Sequence, residues 1–114
     1  MNPVGAIHKF LIHARRVEAL KDQISPYLPH HGELLDVGSG DGFLASLLNA
    51  ERPDLNISGI DVLLRPDAYI PVEKFDGLVI PYPDRSVDAV LIVDVLHHTI
   101  DPMVLLREAR RVTR

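Results

Sequence analysis

The stretch Leu34-Leu35-Asp36-Val37-Gly38-Ser39-Gly40-Asp41-Gly42 limits the fold of this chain more than any other. A short apolar run carries an acid near its end, glycines then alternate with small or polar residues, and apolar residues return at once in Phe43, Leu44, Leu47 and Leu48. Continuous apolar runs mark buried parallel strands, and apolar spacings of three and four mark a helix face. The pattern predicts a strand, a tight glycine turn and the opening turns of a helix. Glycine belongs where the backbone takes conformations closed to residues with a Cβ, or where a ligand must come close. The helix start adds free N–H groups and the positive end of a dipole.

Two nucleotide-type ligands suit such a turn. The dinucleotide fingerprint G-x-G-x-x-G would place its third glycine where Phe43 stands. The chain has G-x-G-x-G instead, at Gly38, Gly40 and Gly42, with Asp36 two residues before the first glycine. A carboxylate at the mouth of the turn repels a pyrophosphate and suits a ligand with a cationic amine. The stretch resembles the first motif of the class I S-adenosylmethionine-dependent methyltransferases. That resemblance implies S-adenosylmethionine as cofactor and an α/β fold: a Rossmann-like, doubly wound, mostly parallel sheet.

Length and composition allow one domain, residues 1–114, with an N-terminal helix and loop over 1–31 and a cofactor-binding core over 32–114. Hydrophobic residues at 46% and charged residues at 25% place it among globular chains. A formal net charge of −4 argues against general nucleic-acid binding. The absence of cysteine removes disulfides, thiolate metal sites and thiol nucleophiles, and with them the cytosine C5 methylation mechanism. No apolar run approaches the ~20 residues of a membrane span, so no membrane association is expected and the expected compartment is the cytoplasm.

Ile7, Phe10, Leu11, Ala14, Val17, Leu20 and Ile24 recur at helical spacing and predict a helix over about 5–24, ended by Pro26. Its other face carries Lys9, His13, Arg15, Arg16, Lys21 and Asp22; it is chiefly a solvated face, with His13 and Arg16 as candidates to face a substrate. Residues 25–33 are a predicted loop. Metal binding is not expected, because His8 and His13 are five apart and adjacent histidines diverge on any regular element.

Helix is predicted over Phe43 to Glu51, and strand over Leu55 to Asp61. Asp61 follows Gly42 by nineteen residues, near the separation of roughly 20 at which an acid meets ribose hydroxyls in nucleotide-binding α/β units. Residues 62–69 are too few, and too rich in proline, for a full crossover helix. Ile70 to Phe75 is a predicted short edge strand, since Pro71 cannot donate to a ladder.

The run Phe75-Asp76-Gly77-Leu78-Val79-Ile80-Pro81-Tyr82-Pro83-Asp84-Arg85-Ser86-Val87-Asp88 resembles the "G-D-A-x-x-L-P-F-P-D-x-S-F-D" run of the methyltransferase type 11 group. By that resemblance Asp76 accepts from the adenine amino group and Gly77 offers its N–H to a ring nitrogen. Tyr82 is expected to pack in the loop and Asp84 to serve the turn. Ala89 to Val93 is a predicted buried strand, running into Asp94-Val95-Leu96-His97-His98, which resembles the family's "L-H-H" ending. The signature of exocyclic-amine methylation (Asn or Asp, two prolines and an aromatic) is missing there. Asp101 and Pro102 predict a helix start, and Leu105 to Val112 holds the family's "L-x-E-x-x-R-V".

The resemblance thus implies a cofactor set of Asp36, Gly38, Ser39, Gly40, Asp61, Val62, Asp76, Gly77 and Asp94. His97 or His98, just past the strand end where an acceptor would sit, is the candidate general base. The resemblance also implies methyl transfer from the sulfonium by in-line displacement to a small-molecule acceptor. A non-catalytic cofactor-binding module is the alternative, and a dinucleotide oxidoreductase the third reading. The resemblance covers about four of the family's usual seven strands. The fourth strand is therefore expected to present an apolar edge through which the chain self-associates.

Overall fold

The computed structural model describes residues 3–93, 95, 99 and 101–114. Helix α1 spans Pro3–Ile24 and is followed by a single 3-10 turn, Ser25–Tyr27. Then come β1 (Gly32–Val37), α2 (Phe43–Glu51), β2 (Leu55–Asp61), β3 (Val72–Lys74), β4 (Ala89–Ile92) and α3 (Pro102–Val112). The four strands form one parallel sheet in the order β3-β2-β1-β4. β1 pairs with β2 from Gly32 opposite Leu55 to Val37 opposite Ile60, and with β4 from Leu34 opposite Ala89 to Val37 opposite Ile92. This is the expected doubly wound α/β architecture.

Alternate residues of a strand face opposite sides, and β1 is buried on both. Leu34, with Leu55 and Ile57 of β2, packs against Ala45 and Leu48 of α2, and Ile24 and Leu28 close that layer. Leu35 and Val37, with Ile60, face Ile80, Val87 and the α3 residues Leu105 and Val112. Each fully buried side chain of this kind contributes ~1.5–3 kcal/mol. The two-sided core explains why β1 from Leu34 to Val37 has no polar residue except Asp36.

The helix limits follow local chemistry. α1 ends before Ser25 and Pro26. At α3, the Asp101 carboxylate accepts from the Met103 N–H at 3.0 Å, and Pro102 takes the first position, where its missing N–H costs nothing. α1 starts at Pro3, two residues ahead of the expectation, and β1 begins inside the predicted 25–33 loop.

The predicted third strand, Ile70 to Phe75, shrinks to Val72–Lys74, and β4 stops at Ile92. Pro71 has no N–H for the ladder; its carbonyl instead accepts from Gly59 at 3.0 Å. No helix occupies residues 62–71, as their length and prolines predict.

Arg111 of α3 fastens the segment before β4. It donates to the carbonyls of Ile80 (2.8 Å) and Tyr82 (2.9 Å), pairs with Asp84 at 2.8 Å, and meets Glu108 at 2.7 Å. Glu108 in turn accepts from the Ile80 N–H, and these bonds hold its carboxyl below the usual range. Asp84 thus serves more than its turn. No described helix is long and apolar enough to cross a membrane.

Candidate functional site

Parallel strands bring their carboxyl ends to one edge of the sheet, which is where open α/β sheets bind ligands. The pairing of Val37 with Ile60 sets the glycine turn directly beside Asp61. Gly38, Gly40 and Gly42 all take positive φ, at 74°, 61° and 79°. The Gly38 and Ser39 amides both donate to the Ile60 carbonyl, at 2.8 and 3.2 Å. The Gly40 amide donates to Asp61 Oδ2 at 2.7 Å, and Leu63 N–H reaches Asp61 Oδ1 at 3.2 Å. Phe43 N–H, at the start of α2, is taken by Asp41 Oδ1 at 3.0 Å.

At the helix start, where free N–H groups are expected, that of Phe43 is taken by Asp41. The glycine turn itself donates the amides of Gly38, Ser39, Gly40 and Gly42 inside the protein. What it offers is close approach. The space where a Cβ of Gly40 would stand is open, with only the Arg65 guanidinium reaching to 3.9 Å. Gly59 underlies the turn for the opposite reason: a Cβ there would come within 2.4 Å of Ser39 Oγ, which is buried with no partner among the described residues.

Asp76 stands across the cleft. Its Oδ1 accepts from the Leu78 and Val79 amides, both at 2.8 Å, which holds its carboxyl below the usual range. Asp61, Val62, Asp76 and Gly77 join Gly38, Gly40, Phe75 and Leu105 around one cleft of about 460 Å3, a size suited to a small molecule or cofactor.

A second cavity, of about 150 Å3, adjoins Gly38 on the α1 side and is lined by His13, Asp36, Ser39, Asp41 and Phe43. Asp36 is 3% exposed, and no described residue donates to its carboxylate. Burial, and secondarily the charge of Asp61, pushes its carboxyl up to about 7. His13 stacks on Phe43 with ring centroids 6.0 Å apart and 27° between planes, and Phe43 meets Tyr69 at 5.3 Å. A broader depression lies at the far edge, between β4 and α3. There Asp88 is paired with Arg114 at 3.1 Å.

The structure therefore gathers Asp61, Val62, Asp76, Gly77, Gly38 and Gly40 at one cleft, and Asp36 and Ser39 at its neighbour. Asp94, His97 and His98 lie outside the described residues. The roles of Asp41, Arg65 and Gly59 had no signal in one dimension. They depend on which chain segments the turn touches.

A Rossmann-like α/β fold with acids beside a glycine turn at the carboxyl end of the sheet is an architecture used for nucleotide-type ligands. The methyltransferase domain family matches residues 35–114, and the chain belongs to that family. The 27-O-demethylrifamycin SV methyltransferase of Amycolatopsis mediterranei (strain S699) is 31% identical over 110 residues, covering 83% of this chain and 40% of that protein. Among solved structures, a SAM-dependent methyltransferase from Thermotoga maritima superposes with a TM-score of 0.75 at 24% identity, over 97% of this chain and 53% of its own. The [4+2]-cyclase SpnF gives 0.73 at 26%, over 84% of this chain and 40% of its own. The chain thus spans about half or less of these relatives. Family membership leaves the dinucleotide oxidoreductase reading without support.

The residues present fit S-adenosylmethionine. The cleft has an open cradle above Gly40 and two carboxylates as acceptors. The neighbouring cavity holds a buried carboxylate with no donor among the described residues, which matches a cationic amine.

Proposed function

We propose that this chain binds S-adenosylmethionine at the carboxyl ends of β1 and β2 and supplies the cofactor half of a methyltransferase acting on a small molecule. The observation that carries the proposal is the convergence of Asp61 and Asp76 on one cleft beside the glycine turn. Asp61 accepts from the ribose hydroxyls with the lone pairs left by Gly40 and Leu63. Asp76 uses Oδ2, since its Oδ1 is engaged by two amides, to accept from the adenine amino group. Gly77 offers its N–H to a ring nitrogen, Val62 covers the adenosyl group, and Asp36 takes the ammonium. By the family resemblance, Asp94 is assigned to the methionine portion of the cofactor. When bound, the cofactor supplies an electrophilic methyl group for in-line displacement, and the chain's own work is to orient it and keep water out.

The acceptor in this reading is a hydroxyl group on a small molecule, supported by the relative whose name specifies an O-demethylated substrate. His97 or His98 removes the proton from that hydroxyl, a task suited to imidazole around neutrality. Calorimetry with S-adenosylmethionine, S-adenosylhomocysteine and NAD tests binding: the first two should bind and NAD should not. A methylation assay over hydroxyl, amine and carbon acceptors tests turnover, repeated with His97→Ala, His98→Ala and the double variant across pH 6–8. Tight binding without turnover of any acceptor would leave the non-catalytic module standing.

A further inference from the structure

We infer that His13, reaching from α1, is the positioning residue for the carboxylate at the amino-acid end of the bound cofactor. This inference rests on the cofactor reading above. An amino-acid zwitterion in a cavity of about 150 Å3 needs both of its charges met. Asp36 answers the ammonium. The carboxylate is harder to place, because Asp36 and Asp41 both line the cavity and repel it.

Five amides of the glycine turn and helix start are engaged inside the protein. The amides of Gly38 and Ser39 go to Ile60, that of Gly40 to Asp61, that of Gly42 to Ser39 and that of Phe43 to Asp41. Ser39 Oγ lies beneath the turn against Gly59. Among the described lining residues, the remaining side chain with an N–H to give is His13, which donates whether neutral or charged. Its place is fixed from two sides. His13 precedes Val17 by four residues and Leu20 by seven, so it shares the α1 face that lines the cavity. Its ring also lies near-parallel to Phe43.

Three probes divide the ligand into its parts: S-adenosylmethionine, decarboxylated S-adenosylmethionine, and methylthioadenosine, which has neither charge. Binding to the wild-type chain and to His13→Phe, which keeps an aromatic ring for the stack, is measured by calorimetry. The variant should lose about tenfold in affinity for S-adenosylmethionine, as expected for one hydrogen bond to a charged group. It should bind the other two probes as the wild type does, and His13→Gln should recover part of the loss. Equal loss for all three probes would assign His13 a packing role and overturn the inference, as would unchanged affinity for S-adenosylmethionine. A wild-type chain that binds none of the three would overturn the cofactor reading together with it.

Discussion

The carboxylate of Asp61 holds the backbone N–H of Gly40 at 2.7 Å and so ties the end of β2 to the middle of the glycine turn. One side chain thereby shapes the cradle and faces the cleft. Asp61→Ala should weaken S-adenosylhomocysteine binding by roughly 1.5–3 kcal/mol, the range for hydrogen bonds to charged groups. Asp61→Asn keeps a carbonyl for Gly40 and should lose less. Calorimetry showing equal affinity for wild type and Asp61→Ala would contradict the assignment.

Asp36 predicts a pH dependence whose sign is fixed. Its folded carboxyl is raised to about 7, above the ordinary 3.8, so the folded protein binds the proton more tightly than the unfolded chain. The stability associated with this proton is fully present below the ordinary value and is lost as pH rises from there through about 7. Asp36→Asn removes the burial of a charge and should raise stability more at pH 8 than at pH 5, by on the order of 2–3 kcal/mol. Urea unfolding of both proteins at the two pH values measures it. Equal gains at both would show that Asp36 does not titrate in this window.

Arg111 meets two carbonyls and two carboxylates in four directions. Arg111→Ala should cost roughly 1–3 kcal/mol, a range kept low because the side chain is partly exposed and screened. Lysine should not rescue it, since a single ammonium cannot replace a planar fork with five donors. Chemical denaturation reads this directly, and a lysine variant as stable as wild type would reject the geometric explanation.

β4 pairs with β1 and with no other described strand, and its four residues, Ala89–Ile92, contain neither charge nor proline. Unprotected edges of this kind recruit other strands. The 114-residue chain should therefore show concentration-dependent association in light scattering. A monodisperse monomer across the concentration series would count against it.

Much of this molecule was legible in one dimension because its strongest signals are local. The Leu34–Gly42 run, the apolar β4 and the Asp101-Pro102 start each encode an element in adjacent residues. Asp61 was legible by its distance from Gly42. The engaged amides of the turn were not, because the Ile60 carbonyl that takes two of them comes from a neighbouring strand. His13 was legible as a polar helix residue and a candidate to face a substrate; its meeting with Phe43 depends on how α1 packs beside α2. The Arg111 hub spans up to 31 residues of sequence and leaves no periodic trace.

The three-pair ladder between β2 and β3 sets an order of opening within the sheet. Six pairs join β1 to β2, whereas β3 hangs on Gly59, Ile60 and Asp61 alone and has no crossover helix behind it. Amide protons of β3 should exchange with solvent well before those of β1, because short and poorly covered segments open at low free-energy cost. The same segment leads into Phe75, Asp76 and Gly77 of the cleft. An adenosyl ligand that bridges Asp61 and Asp76 would brace this edge from outside the ladder, and its binding would be read as slowed exchange at Val72–Lys74 with little change in β1.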